Sequence, residues 1–163
     1  MDEQAISKPV VLLDGMRPGK RVGELMVGEL GDVAIWMPPT VQKGATIGQA
    51  LDALLSNRRS MKAYVIDVEG NLVGVVTSDS LMRLLATQAG AKRGDSHHLT
   101  ELSGQLLVEG VEQATLRPRP VKADTLLRDA LLTMKDEHLA DLRIVDDDYK
   151  LVGELVGLEL LRP

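Results

Sequence analysis

The chain has no cysteine and no phenylalanine, and only one tryptophan and two tyrosines among its 163 residues. Without cysteine there is no disulfide framework, no thiolate nucleophile and no thiolate zinc site, which fits a reducing compartment. So few rings leave little with which to stack bases or sugars. A net charge of -5 with no long basic run lacks the phosphate attraction on which nucleic-acid surfaces depend, so no nucleic-acid partner is expected. No apolar run approaches the ~18 residues of a membrane-spanning helix. Met1 to Val10 is polar and acidic where a secretory signal is basic and then apolar. The expectation is a cytoplasmic protein without a membrane partner.

What the chain does contain is Leu, Val, Ala, Ile and Met, enough for one compact domain or two small ones sharing a core. Residues 1–21 read as an N-terminal arm, with Pro9 to Leu13 a short strand before Gly15, Pro18 and Gly19 break the chain. Val22 to Met26 suggests a short helical segment, and Val33 to Trp36 an extra strand closed by Pro38-Pro39. Trp36 is expected to cover a core edge or a subunit contact. Thr46 with Gln49 forms a capping box, and Ile47, Ala50, Leu51 and Leu54 recur at helical spacing. Tyr64 to Asp67 and Leu72 to Val76 form a hairpin around the Gly70-Asn71 turn. Thr77, Ser78 and Asp79 are three consecutive candidate caps for a helix whose stripe is Leu81, Met82, Leu84 and Leu85 and which ends near Gly90. Gly90 to Ser96 reads as a connector, Leu99, Leu102, Leu106 and Leu107 as an amphipathic helix, and Arg117-Pro118-Arg119-Pro120 as extended chain.

The pattern then recurs. A shift of 80 lays Val41 on Val121, Ile47 on Leu127, Ala50 on Ala130 and Leu54 on Met134. After one deletion a shift of 79 lays Val65 on Ile144, Asp67 on Asp146, Leu72-Val73-Gly74 on Leu151-Val152-Gly153 and Leu81 on Leu160. The chain is a tandem repeat of a strand-helix-strand-strand-helix unit. Two such copies bury their open sheet faces most simply by packing sheet to sheet about a pseudo-two-fold axis, an α/β architecture. The second copy stops at Pro163, so apolar surface at Leu158, Leu160 and Leu161 is expected to be covered by the N-terminal arm or another subunit.

No group of residues assembles an obvious reactive site. His97-His98 with a distant His138 lacks metal-ligand spacing, and Asp146 to Asp148 is a hairpin turn lacking the Gly and Glu of a calcium loop. No nucleophile or carboxylate has an identifiable catalytic partner, so an enzyme is not expected.

The helix starts Thr-Ile-Gly-Gln-Ala-Leu and Thr-Leu-Leu-Arg-Asp-Ala-Leu, the strands Tyr-Val-Ile-Asp and Arg-Ile-Val-Asp, and the two Leu-Val-Gly strands resemble the CBS-domain family. These regulatory modules occur as tandem pairs, or Bateman modules. The resemblance covers residues 22–87 and 111–163, with 88–110 a linker carrying the amphipathic helix. It implies two clefts between the repeats that bind adenosine nucleotides, and disc-like homodimers. In the family a Gly-apolar-apolar-Thr/Ser motif holds phosphate and an Asp three residues later holds ribose. Here Gly74, Val75, Val76 and Thr77 match the first part, Ser80 stands at the Asp position, and Asp79 is its neighbour. In the second copy Val156 stands at the Thr position and Glu159 at the Asp position. Tyr64 occupies the position of a family Pro, which places Lys62 at a phosphate-binding cation; Arg143 and Asp141 are the second-copy equivalents. The adenine position corresponds to Thr40 and Val41, and to Pro120 and Val121. The resemblance favours phosphate at Thr77 and Lys62, because Asp141 would repel it, with ribose left to Glu159.

The expected function is a stand-alone regulatory module that requires no cofactor, senses AMP, ADP, ATP or S-adenosylmethionine between the repeats, and modulates a partner the residues do not name. The alternative is a structural dimerisation or adaptor module with decayed clefts, suggested by Ser80, Val156 and the short last helix. Val76 and Gly74 complete the candidate ligand-binding set.

Overall fold

The computed structural model describes residues 37–91 and 99–158. The arm, the Val22 to Met26 helix, the Val33 to Trp36 strand, most of the connector before Leu99, and Glu159, Leu160 and Leu161 lie outside these residues. The chain divides into two units, Pro38–Pro118 and a unit that contains Arg119–Pro163.

In the first unit the capping box forms as its residues dictate. The Thr46 hydroxyl accepts the Gln49 N–H at 3.2 Å, and the Gln49 side chain accepts the Thr46 N–H at 2.9 Å, opening α1, Ile47–Ser56. The elements run β1 (Thr40–Gln42), α1, β2 (Lys62–Ile66), β3 (Leu72–Thr77), α2 (Ser78–Ala91) and α3 (Leu99–Leu107), then a single 3-10 turn at Val111–Ala114. β1 runs parallel to β2, and β2 antiparallel to β3.

Because strand side chains alternate, Ala63, Val65 and Val76 face one side. There they join Ile47, Ala50, Leu54, Leu81, Leu106, Val111 and Ala114 in a single core. Leu84 and Leu85 pack at its edge, but Met82 is 61% exposed. That corrects the expected stripe: Met82 sits about 100° around the helix from Leu81, whereas positions three and four on from Leu81 return to the core. After the 3-10 turn the chain comes back along β3, with Val75 and Leu116 exchanging N–H···O bonds of 3.1 and 2.8 Å. This contact requires Gly74, since a Cβ there would overlap Thr115 Cγ2.

The second unit repeats the first: β4 (Val121–Lys122), α4 (Leu127–Asp136), β5 (Asp141–Val145) and β6 (Leu151–Val156). Val41 pairs with Val65 and Val121 with Ile144; Val65 pairs with Gly74 and Ile144 with Gly153. Each hairpin also breaks register at the equivalent step, Val65/Ile66 and Ile144/Val145. Both turns are built on an aspartate, Asp67 Oδ1 accepting the Glu69 and Asn71 N–H groups and Asp146 Oδ1 those of Asp148 and Lys150. The core again lies under the helix, made by Leu127, Ala130, Met134, Leu142, Ile144 and Leu155. Leu126, at the place of Thr46, offers no side-chain cap.

Candidate functional site

β3 passes into α2 without an intervening loop, and Thr77 is the hinge residue. Its Oγ1 accepts the Ser80 N–H at 3.0 Å, while Ser80 Oγ accepts the Thr77 N–H and donates to the Thr77 carbonyl, each at 3.0 Å. This is a reciprocal N-cap with serine in the place usually held by Glu or Gln. Of the three candidate caps, Thr77 is the one used. The first amides of α2, Ser78 and Asp79, precede the helix's own hydrogen-bond ladder, so the corner offers N–H groups and the positive end of a 14-residue helix.

Lys62 stands directly opposite Thr77 across the hairpin. By strand alternation Lys62, Tyr64, Val75 and Thr77 share the sheet face turned away from the helices. Lys62 and Thr77 are half-buried, and Tyr64 is fully buried. Asn57, which the sequence reading missed, fixes the entry to this edge. It is fully buried at the end of α1, and its Nδ2 donates to the Lys62 carbonyl at 2.9 Å and to Ser60 Oγ at 2.8 Å. Its place just after the last helical residue was the available signal.

The other candidates distribute as follows. Val76 lies in the core under the helices and Gly74 against Thr115, so each can meet a ligand only through its backbone. Ser80 is 5% exposed and its hydroxyl is engaged with Thr77. Asp79 points to solvent and pairs with Arg83 at 2.7 Å. Thr40 and Val41 lie on β1, with Thr40 next to Tyr64. Pro120 and Val121 belong to the other unit, and Glu159 lies outside the described residues.

The corresponding face of β5 and β6 carries three charged side chains where that of β2 and β3 carries one, Lys62. Asp141 pairs with Val156 and Arg143 with Glu154 across the hairpin. Asp141, Arg143 and Glu154 are 3%, 6% and 0% exposed. Arg143 approaches Asp141 at 3.6 Å, and its Nε–H has no hydrogen-bond partner among the described residues. At the end of β6 the Gly157 N–H donates to the Ala140 carbonyl at 2.9 Å.

Two copies of one α/β unit, each a parallel strand, a helix and an antiparallel hairpin, with a strand-to-helix corner at the first, define a tandem-repeat module. The chain has the fold of a CBS-domain pair, and residues 30–87 match the CBS domain family model. Its fold is similar to that of protein MJ1004 from Methanocaldococcus jannaschii, with a TM-score of 0.62 and 16% identity, over 87% of this chain and 58% of that one. It is also similar to the CBS domain protein PAE2072 from Pyrobaculum aerophilum complexed with AMP, with a TM-score of 0.60 and 20% identity, over 86% and 89% of the two chains. CBSX2 in complex with AMP is similar at a TM-score of 0.60 and 25% identity, over 88% and 95%. No curated protein matches the chain in sequence. Among the described residues no helix is long and apolar enough to cross a membrane.

Proposed function

We propose that the protein is a regulatory rather than catalytic module that binds an adenine nucleotide of the AMP, ADP or ATP type and passes a conformational bias to a partner. The observation that carries this reading is the Lys62–Thr77 pair, a cation opposite a hydroxyl at the mouth of a helix N-terminus. The AMP complexes of two structurally similar CBS proteins support it. The homodimer and the cytoplasmic setting belong to the same proposal. Ligand would act by preferring one arrangement of the repeats or of the dimer.

The test is a thermal-shift and calorimetric titration with AMP, ADP, ATP and S-adenosylmethionine. A nucleotide at a hundred times its dissociation constant is expected to add about 2.7 kcal/mol of stability. An unchanged melting temperature with all four at millimolar concentration would overturn the adenosyl reading.

A second reading, a dimerisation or adaptor module that binds no nucleotide, is favoured by one specific observation. Tyr64 and Arg143, at equivalent places in the two repeats, are both buried side chains. On that reading the four titrations give no shift, and sedimentation equilibrium still gives a dimer.

A further inference from the structure

We infer that the outer edge of β6 is a strand-addition site and that its occupant is the chain's own segment Val33 to Trp36. The inference stands apart from the nucleotide reading. The first unit shows how such an edge is closed. β3 is the outermost strand of its sheet, and Leu116, which precedes β4 in the chain, returns to pair antiparallel with Val75. β6 holds the same outermost place in the second sheet. Gly74, Val75 and Val76 are buried in β3, and Gly153, Glu154 and Leu155 are buried at the equivalent places in β6. An outermost strand carries main-chain N–H and C=O groups along its edge, and burying them requires partners.

The repeat names the partner. Eighty positions before Ala114, Thr115, Leu116, Pro118 and Val121 stand Ala34, Ile35, Trp36, Pro38 and Val41. The shift that relates the copies thus extends back ahead of β1. The chain also passes from one unit to the other at places that match to within one residue, between Met37 and Pro38 and between Pro118 and Arg119. Leu116 lies with β3 although β4 follows it in the second unit; Trp36, which β1 follows in the first unit, belongs by the same rule with β6. Glycine gives an independent mark. The return of Thr115 leaves no room for a Cβ on Gly74, and Gly153 takes that place in β6, where the shift brings Ile35. Trp36 then exchanges N–H···O bonds with Glu154 as Leu116 does with Val75. Main-chain bonds of this kind hold an added strand, and its alternate side chains supply the fit, for which the β-branched Val33 and Ile35 are suited.

Cross-linking in the full chain, which has no cysteine of its own, tests the inference. A Cβ on Gly74 would lie 3.5 Å from Thr115 Cβ, within the range of about 3.5–4.5 Å that a disulfide spans, so Gly74→Cys/Thr115→Cys is the control. The expected result is that Ile35→Cys/Gly153→Cys closes a disulfide within one chain on air oxidation to the same extent as the control, read as loss of free thiol in a monomeric band on a non-reducing gel. A covalent dimer would seat a second copy's segment on the edge, and free thiols where the control has closed would leave the edge to another occupant; either result overturns the inference. Amide hydrogen exchange of the unmodified chain decides the matter where a double variant does not fold. The Trp36 N–H is expected to be protected as strongly as that of Leu116, and exchange at the rate of an unstructured peptide would overturn the pairing.

Discussion

Gly74 and Thr115 are coupled by contact rather than by chemistry. A Gly74 Cα hydrogen points at Thr115 Cγ2, and the Leu116 carbonyl oxygen lies 3.3 Å from where a Cβ would stand. Gly74→Ala is therefore expected to cost about 1–3 kcal/mol by overpacking. In a Thr115→Ala background, which removes the overlapping methyl, most of that penalty should vanish. A double-mutant cycle by urea denaturation measures the coupling. Arg143 presents the opposite case, a residue whose removal leaves charge behind. Arg143→Met would remove the guanidinium beside Asp141 and opposite Glu154 on a buried face, and breaking such a cluster costs about 3–5 kcal/mol. A loss below ~1 kcal/mol in the same denaturation experiment would mean that the guanidinium does not compensate them.

At the scale of elements, the hairpin turns repay comparison. Gly70 holds φ +87 and Tyr149, its second-unit equivalent, φ +66, a left-handed conformation that costs an L-residue about 1–2 kcal/mol. Gly70→Val should lower stability by about that amount, read as a fall in melting temperature. The Asp67 carboxyl anchoring the first turn is held below its ordinary pKa, chiefly by the Asn71 side-chain amide; desolvation opposes this, and the Asn71 and Glu69 N–H groups add to the lowering. Its folded pKa thus lies below its unfolded one. The contribution is complete above the unfolded pKa and is lost as pH falls through the folded pKa. The melting-temperature difference between wild type and Asp67→Asn should accordingly shrink across the acid range, as differential scanning calorimetry at stepped pH would show. The capping box of α1 gives a simpler expectation: Thr46→Ala costs about 1 kcal/mol.

Over the whole molecule, the repeat was legible because each element states its own boundaries. Helical spacing, the turn aspartates and the Leu-Val-Gly strands recur in order in the second copy, although the Thr46-Gln49 box does not, and the hairpin strands form over these signals, β2 from Lys62 rather than the expected Tyr64. The candidate corner was legible in part. The resemblance placed Thr77 and Lys62 at one phosphate site, but their cross-strand pairing, the engagement of Ser80, the backbone-only exposure of Val76 and the clamp by Asn57 depend on strand extent and side-chain directions that spacing does not specify. Nucleotide sensing is expected to couple the corner to stability throughout the chain: Thr77→Asp should abolish the AMP-induced rise in melting temperature while leaving the ligand-free unfolding free energy within about 1 kcal/mol of wild type.

The amino-acid sequence by itself determined the order of the described elements and the two-fold repetition, because local propensity and alternation act over a few residues and are written in consecutive positions. Only the tertiary structure decided what each conserved-looking residue of the motif is used for within the protein. Gly74 is set by the close return of Thr115 and Leu116, which lie some forty positions away in the chain. Glu154 joins Asp141 and Arg143 because two strands align in one register. Contacts between residues distant in sequence arise when the strands and helices pack, and no local pattern encodes them.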